Sequence, residues 1–189
     1  MFLSSTILWI LLGKARGGSF AKLAQADIKR QGVIFAVLVA RVALYSGYFK
    51  ISASAAGVIH TAVFSLLVLV LYDNLHITGM WLATAGSVLN ATVIAANGGR
   101  MPVAYSALVK SGLPAAAESL AVNGSLTHVL LSESTELRFL GDLLWFKWPW
   151  GSGVVFSVGD ILLIAGMFFA VQSLMGAGRS QTIDPDDPH

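Results

Sequence analysis

With 189 residues, 56% of them hydrophobic and 12% charged, the chain carries about half the charge of an average soluble domain, which holds roughly 25% charged residues. That excludes an ordinary soluble class. A net charge of +2 is too small to point to nucleic acid, and the absence of cysteine excludes disulfides, thiolate chemistry and cysteine-ligated metals.

The first apolar run, Phe2 to Gly13, rises only about 18 Å as a helix, against a hydrocarbon core of roughly 30 Å. It is expected to stay in the protein: no basic segment precedes it, and GKARGG follows it in place of a small-residue cleavage site. From Lys14 to Arg30 the residues Lys14, Arg16, Lys22, Lys29 and Arg30 face Asp27 alone, so this loop is expected in the cytoplasm and the N-terminus outside. Residues Ser19 to Gln31 form either a solvated basic loop or a short surface helix with Phe20, Leu23, Ala24 and Ile28 toward lipid.

Gly32 to Phe49 reads as a second span with Arg41 near its middle, and Ala53 to Tyr72 as a third with His60 two turns from its outer end. His76 to Ala96 reads as a fourth. Its Gly79, Ala83, Gly86 and Asn90 form a small-residue stripe that permits close helix approach. Asn97, Gly98, Gly99 and Arg100 then stop the helix at the outer surface with turns that use positive φ. The segment up to Trp150 has cancelling charges and is expected to lie on the bilayer, with short helices at Ala104–Lys110, Pro114–Val122 and Glu136–Phe146 and an aromatic belt of Trp145, Phe146, Trp148 and Trp150.

Gly151 to Met175 reads as the last span, with Asp160 well inside it. A carboxylate there costs roughly 2.5 to 3.5 kcal/mol unless paired or hydrated. Gly153, Ser157, Asp160, Ile164 and Met167 share one helical face, and both Arg41 and Asp160 are expected near mid-membrane, where they can pair. The expected polar intramembrane cluster is therefore Arg41, His60, Asn90, Ser157 and Asp160. The fold class is all-α: a polytopic bundle of about five membrane helices over residues 1–175 with an interfacial outer segment, then a disordered polar tail over 176–189.

The succession NGGRMPV, LRFLGDLL and FSVGDILL resembles a bacterial family of small polytopic membrane proteins of unknown function, which implies a helical membrane fold and supplies no activity. GDLL followed by FSVGDILL is also similar to lipoprotein signal peptidases, whose FNxAD motif carries one of two catalytic aspartates. That likeness implies an aspartyl pair of Asp142 and Asp160. The sequence departs from it in two places: Gly99 stands before Arg100 where those enzymes have an aspartate, and Ser157 replaces the motif's asparagine. Asp142 and Asp160 are not expected to share a water, since Asp142 sits among interfacial aromatics and Asp160 about 13 Å deeper along the helix.

No P-loop, zinc spacing or dinucleotide fingerprint occurs, so no metal or cofactor is expected. The expected function is binding of a lipid, small apolar ligand or partner subunit at an outward-facing polar groove. Intramembrane peptidase and proton- or ion-coupled transport are the alternatives. Membrane lipids are the expected surroundings, with no nucleic-acid partner.

Overall fold

The computed structural model describes residues 2–46 and 51–177. Its main body is a bundle of five apolar helices: α1 (Phe2–Ala15), α3 (Gln31–Ser46), α4 (Ala53–Asp73), α5 (Met80–Ala96) and α8 (Val158–Met175). Between the first two lies a short α2 (Phe20–Ala24). Between α5 and α8 the chain builds a cap from β1 (Met101–Val103), α6 (Tyr105–Lys110), α7 (Pro114–Asn123), β2 (His128–Leu130), a 3-10 turn at Arg138–Leu140, β3 (Leu144–Phe146) and β4 (Val154–Phe156). The fold is thus mostly helical rather than all-α. Among the described residues, α4 and α8 are long and apolar enough to cross a membrane, and three shorter apolar helices accompany them.

α5 and α8 make the most extensive contact in the molecule, and the glycines explain how. A Cβ on Gly86 would meet the carbonyl of Gly159, and one on Gly166 would stand 2.7 Å from the carbonyl of Gly79. The backbones therefore touch along a stripe contributed by both helices, Gly79–Ala83–Gly86–Asn90 against Gly159–Leu163–Gly166–Ala170. Gly79 belongs to the turn before α5 rather than to the helix, with φ of 88°, so the expected start at His76 moves to Met80.

The two ends of the bundle differ. At the basic end, Asn74 after α4 clamps Lys29: its Oδ1 accepts from the Lys29 N–H at 2.8 Å, and its Nδ2 donates to the Lys29 carbonyl at 3.1 Å. Arg30 pairs with Asp73, and the Ser19 N–H bonds the Met175 carbonyl. At the cap end, β1 lies parallel to β2 in the register Met101↔His128, and β3 pairs antiparallel with β4 in the register Leu144↔Phe156. Asp142 joins the two sheets, since its N–H donates to Pro102 O at 2.8 Å and its carbonyl accepts from the Ala104 N–H.

Three expectations need correction. Glu136–Phe146 is not a helix: after a residue with positive φ at Leu137 and the 3-10 turn, Asp142 is drawn onto β1 and Leu144–Phe146 pairs as a strand. The last helix starts at Val158, not Gly151, because Val154–Phe156 is an apolar β-branched run that pairs with β3. Gly153 therefore lies off the face assigned to it. Of the segment Ser19–Gln31, Phe20–Ala24 forms a short helix and Gln31 opens α3, with loop between them. The outer three residues of the expected second span and the polar tail beyond Ala177 lie outside the described residues.

Candidate functional site

Ser157 caps α8. Its hydroxyl accepts from the Asp160 N–H at 3.0 Å while an Asp160 oxygen accepts from the Ser157 N–H at 3.0 Å, so each side chain satisfies a backbone donor at the start of the helix. Asp160 is therefore in the first turn of α8 and not at mid-helix, where the negative carboxylate is favoured by the helix dipole. Asn90 closes the network from α5: its Nδ2 donates to the second Asp160 oxygen at 2.8 Å and its Oδ1 accepts from the Ser157 hydroxyl at 2.9 Å. Both oxygens of Asp160 are thus engaged, by groups that are themselves buried.

His60 reaches the cap from α4. Its Nδ1 lies 2.7 Å from the Gly99 carbonyl, and since a carbonyl only accepts, Nδ1 carries the proton. Gly99 has φ of 79°, and a side chain there would overlap the backbone of Gly57 on α4. The glycine pair lets the loop after α5 sit on α4, and His60 locks it one turn further on. His60 Nε2 is buried without a hydrogen-bond partner. Arg41 lies with its guanidinium over the Phe64 ring at 5.3 Å, and Phe64 in turn meets the His60 ring edge-on.

Asn97 bridges α5 to the cap by exchanging hydrogen bonds with the Glu136 backbone, donating to its carbonyl at 3.0 Å and accepting from its N–H at 3.1 Å. Gly98 and Gly99 both take positive φ, and Arg100 follows them half-buried. Of the expected residues, Asn90, Ser157 and Asp160 are directly bonded to one another. His60 is bonded to the glycine turn instead, and Arg41 is packed on Phe64.

A family model described as a family of unknown function, DUF5317, matches residues 25–172. The chain belongs to this family. The DUF5317 match takes in α3, α4, α5, the whole cap and most of α8, and leaves α1 outside it. A protein from Thermotoga maritima described as uncharacterized is 33% identical over 105 residues, covering 56% of this chain. The match spans 57% of that relative's length. No solved structure matches the chain.

Within the DUF5317 region the cap holds a groove of about 570 Å³ whose lining includes Val103, Leu108, Ser125, His128, Asp142 and Val154. Asp142 is 8% exposed, and its Oδ1 is buried without a hydrogen-bond partner. Burial, and after it the charge of Asp160, raises the Asp142 carboxyl to about 7. Burial lowers His128 to about 4, with the nearby His60 and Arg41 adding to the effect. At neutral pH the groove therefore presents a neutral imidazole and a carboxyl divided between its acid and its anion. Among the described residues no group of three His, Asp or Glu side chains is placed to hold a metal ion.

Sequence reasoning missed His128 altogether. The available signal was a histidine opening the apolar run HVLL after the turn residues NGSLT. It also missed the start of α8, although Ser157-Val-Gly-Asp160 after an apolar β-branched run has the spacing of a capping box.

Proposed function

We propose that this protein is a multi-pass bacterial membrane protein whose five membrane-embedded helices α1, α3, α4, α5 and α8 form one bundle over residues 1–175, with the N-terminus and cap outside and the tail 176–189 in the cytoplasm. The reading is supported by where apolar side chains point. Phe35 is 69% exposed, Val42 69%, Val58 71% and Trp81 64%, while the polar and small residues face inward. Water would not tolerate that many large exposed apolar groups on neighbouring helices, and acyl chains favour them. Lys14, Arg16, Lys22, Lys29 and Arg30 gather at one end and Trp145, Trp148 and Trp150 at the other, which favours the stated orientation. α4 rises about 32 Å and α1 about 21 Å, so the bilayer thins or the shorter helices are extended by their flanking turns. Single cysteines placed at Ser19 and Ser125 test the orientation. The Ser125 site should react with a membrane-impermeant reagent in intact cells and the Ser19 site should not.

The function we assign is binding of a lipid, an apolar ligand or a partner subunit at the outward-facing groove. One observation carries it: an unpartnered, buried Asp142 oxygen in the lining of an otherwise largely apolar groove, which is the usual composition of a ligand site. Loss of ligand co-purification or binding in Asp142→Leu, with folding retained, is the expected result; unchanged binding would refute the assignment.

A second reading, an intramembrane aspartyl peptidase, is favoured by a different observation. The β3–β4 register carries Asp142 toward the start of α8, and the Asp160 charge adds to the burial that raises the Asp142 carboxyl. A proton-bearing acid beside a second carboxylate is what acid–base hydrolysis requires. Under this reading, purified protein cleaves a membrane-anchored peptide, and either Asp142→Asn or Asp160→Asn abolishes the cleavage.

A further inference from the structure

Two cavities meet at one residue. Val154 lines the groove of about 570 Å³ that contains Asp142, and it also lines a slot of about 680 Å³ running along α1 and α8. The slot is walled by Trp9, Leu12, Ile164 and Phe168, with Trp148 at its cap end and Ser5 as its single hydroxyl. Among the described residues neither lining contains a lysine or an arginine.

We propose that the two cavities form one binding site for a single uncharged lipid, whose acyl chain lies in the slot between α1 and α8 and whose hydroxyl- or amide-bearing head donates a hydrogen bond to Asp142 Oδ1. This inference rests on the outward-groove reading and specifies its ligand. The order of the surfaces fits an amphiphile standing in a bilayer. Trp148 is stacked on Trp150 with centroids 5.8 Å apart, and tryptophans of this kind sit at headgroup depth. The apolar slot includes Trp148 in its wall, and past Val154 the groove adds the polar side chains of His128 and Asp142. A donor head suits the anionic form of Asp142, whose Oδ1 is then a buried acceptor with nothing bonded to it, a costly state until a donor satisfies it. The head must also be uncharged. A phosphate would find no cation in the lining and would lie against Asp142 and the neutral His128, whose pKa of about 4 leaves it without charge at neutral pH.

The experiment uses the full chain in nanodiscs and measures quenching of tryptophan fluorescence by two probes with the same brominated chain, a monoacylglycerol and a lysophosphatidylglycerol. The monoacylglycerol should quench saturably, and Trp9→Phe combined with Trp148→Phe should remove most of the quenched component. Asp142→Leu, which has no acceptor, should weaken binding about tenfold, the effect of one hydrogen bond to a buried carboxyl. Val154→Trp, which fills the junction, should abolish binding while circular dichroism stays unchanged. The lysophosphatidylglycerol should bind at least about tenfold more weakly. Equal affinity for the two probes overturns the uncharged head. Binding that responds to Asp142→Leu but leaves Trp9 and Trp148 unquenched overturns the chain placement and spares the groove. Absence of saturable binding of either probe overturns the groove reading along with this inference.

Discussion

Replacing Asn90 with alanine tests whether the bundle is held at its cap end by the Asn90–Ser157–Asp160 network. Asn90 is 2% exposed and makes two side-chain hydrogen bonds, to Asp160 Oδ1 at 2.8 Å and from the Ser157 hydroxyl at 2.9 Å. A hydrogen bond to a charged group contributes about 1.5 to 3 kcal/mol and a neutral one about 1, so losing both should cost about 2 to 4 kcal/mol. Interhelical hydrogen bonds within membranes average only about 0.6 kcal/mol, because the freed groups find other partners. Here that escape is closed: Ser157 and Asp160 are each fixed by a backbone bond of the helix cap. At roughly 2 to 4 °C per kcal/mol, the thermal unfolding midpoint in detergent should fall by roughly 4 to 16 °C. Asn90→Asp should fall further, since it sets a second carboxylate against Asp160. Combining Asn90→Ala with Ser157→Ala should cost less than the two single losses together, because both act on one network. An unchanged midpoint for Asn90→Ala would refute the reasoning.

Stability against pH should reveal two opposed titrations in the cap. Asp142 is raised from 3.8 to about 7, so the folded state holds its proton longer and stability falls as pH rises through that interval. His128 is lowered from 6.5 to about 4, so the unfolded state takes its proton first and stability falls as pH drops through that interval. The wild type should therefore show a shallow profile from pH 4 to 6.5, Asp142→Asn a loss on acidification and His128→Gln a gain; matching slopes in all three would contradict the assignment. Gly159→Ala should cost about 1 to 3 kcal/mol by forcing α5 and α8 apart, because its Cβ would stand 2.7 Å from the Gly86 carbonyl. Gly32→Ala, with nothing within 4 Å of its Cβ, should instead raise stability slightly; a common sign for the two would overturn the packing account.

The apolar runs gave the helices because each is set by local composition, and the small-residue stripe of α5 was visible because a close helix contact has few other solutions. The glycines at 98 and 99 were legible for a similar reason: only glycine enters positive φ freely, and both do. What stayed hidden depends on pairing between distant segments. Leu144–Phe146 and Val154–Phe156 are three residues each, too short to show a period. Hydropathy therefore ran Gly151–Met175 together as one span and carried Asp160 to mid-membrane. The groove was hidden as well. His128 and Asp142 line one groove because β2 and the Asp142 segment flank β1 on opposite sides, which no spacing in the sequence announces.

The partners along the α5–α8 seam are separated by residues 97–157, the entire cap. For a chain made from its N-terminus onward, that separation becomes a schedule. During synthesis α5 emerges with its glycine face bare and Asn90 unbonded, and α4 is the neighbour already present to shelter it. The seam closes only after the cap has been made and Ser157 has started α8. A cap that misfolds thus leaves α5 without its partner, and a defect in the cap is read out as a defect in helix assembly.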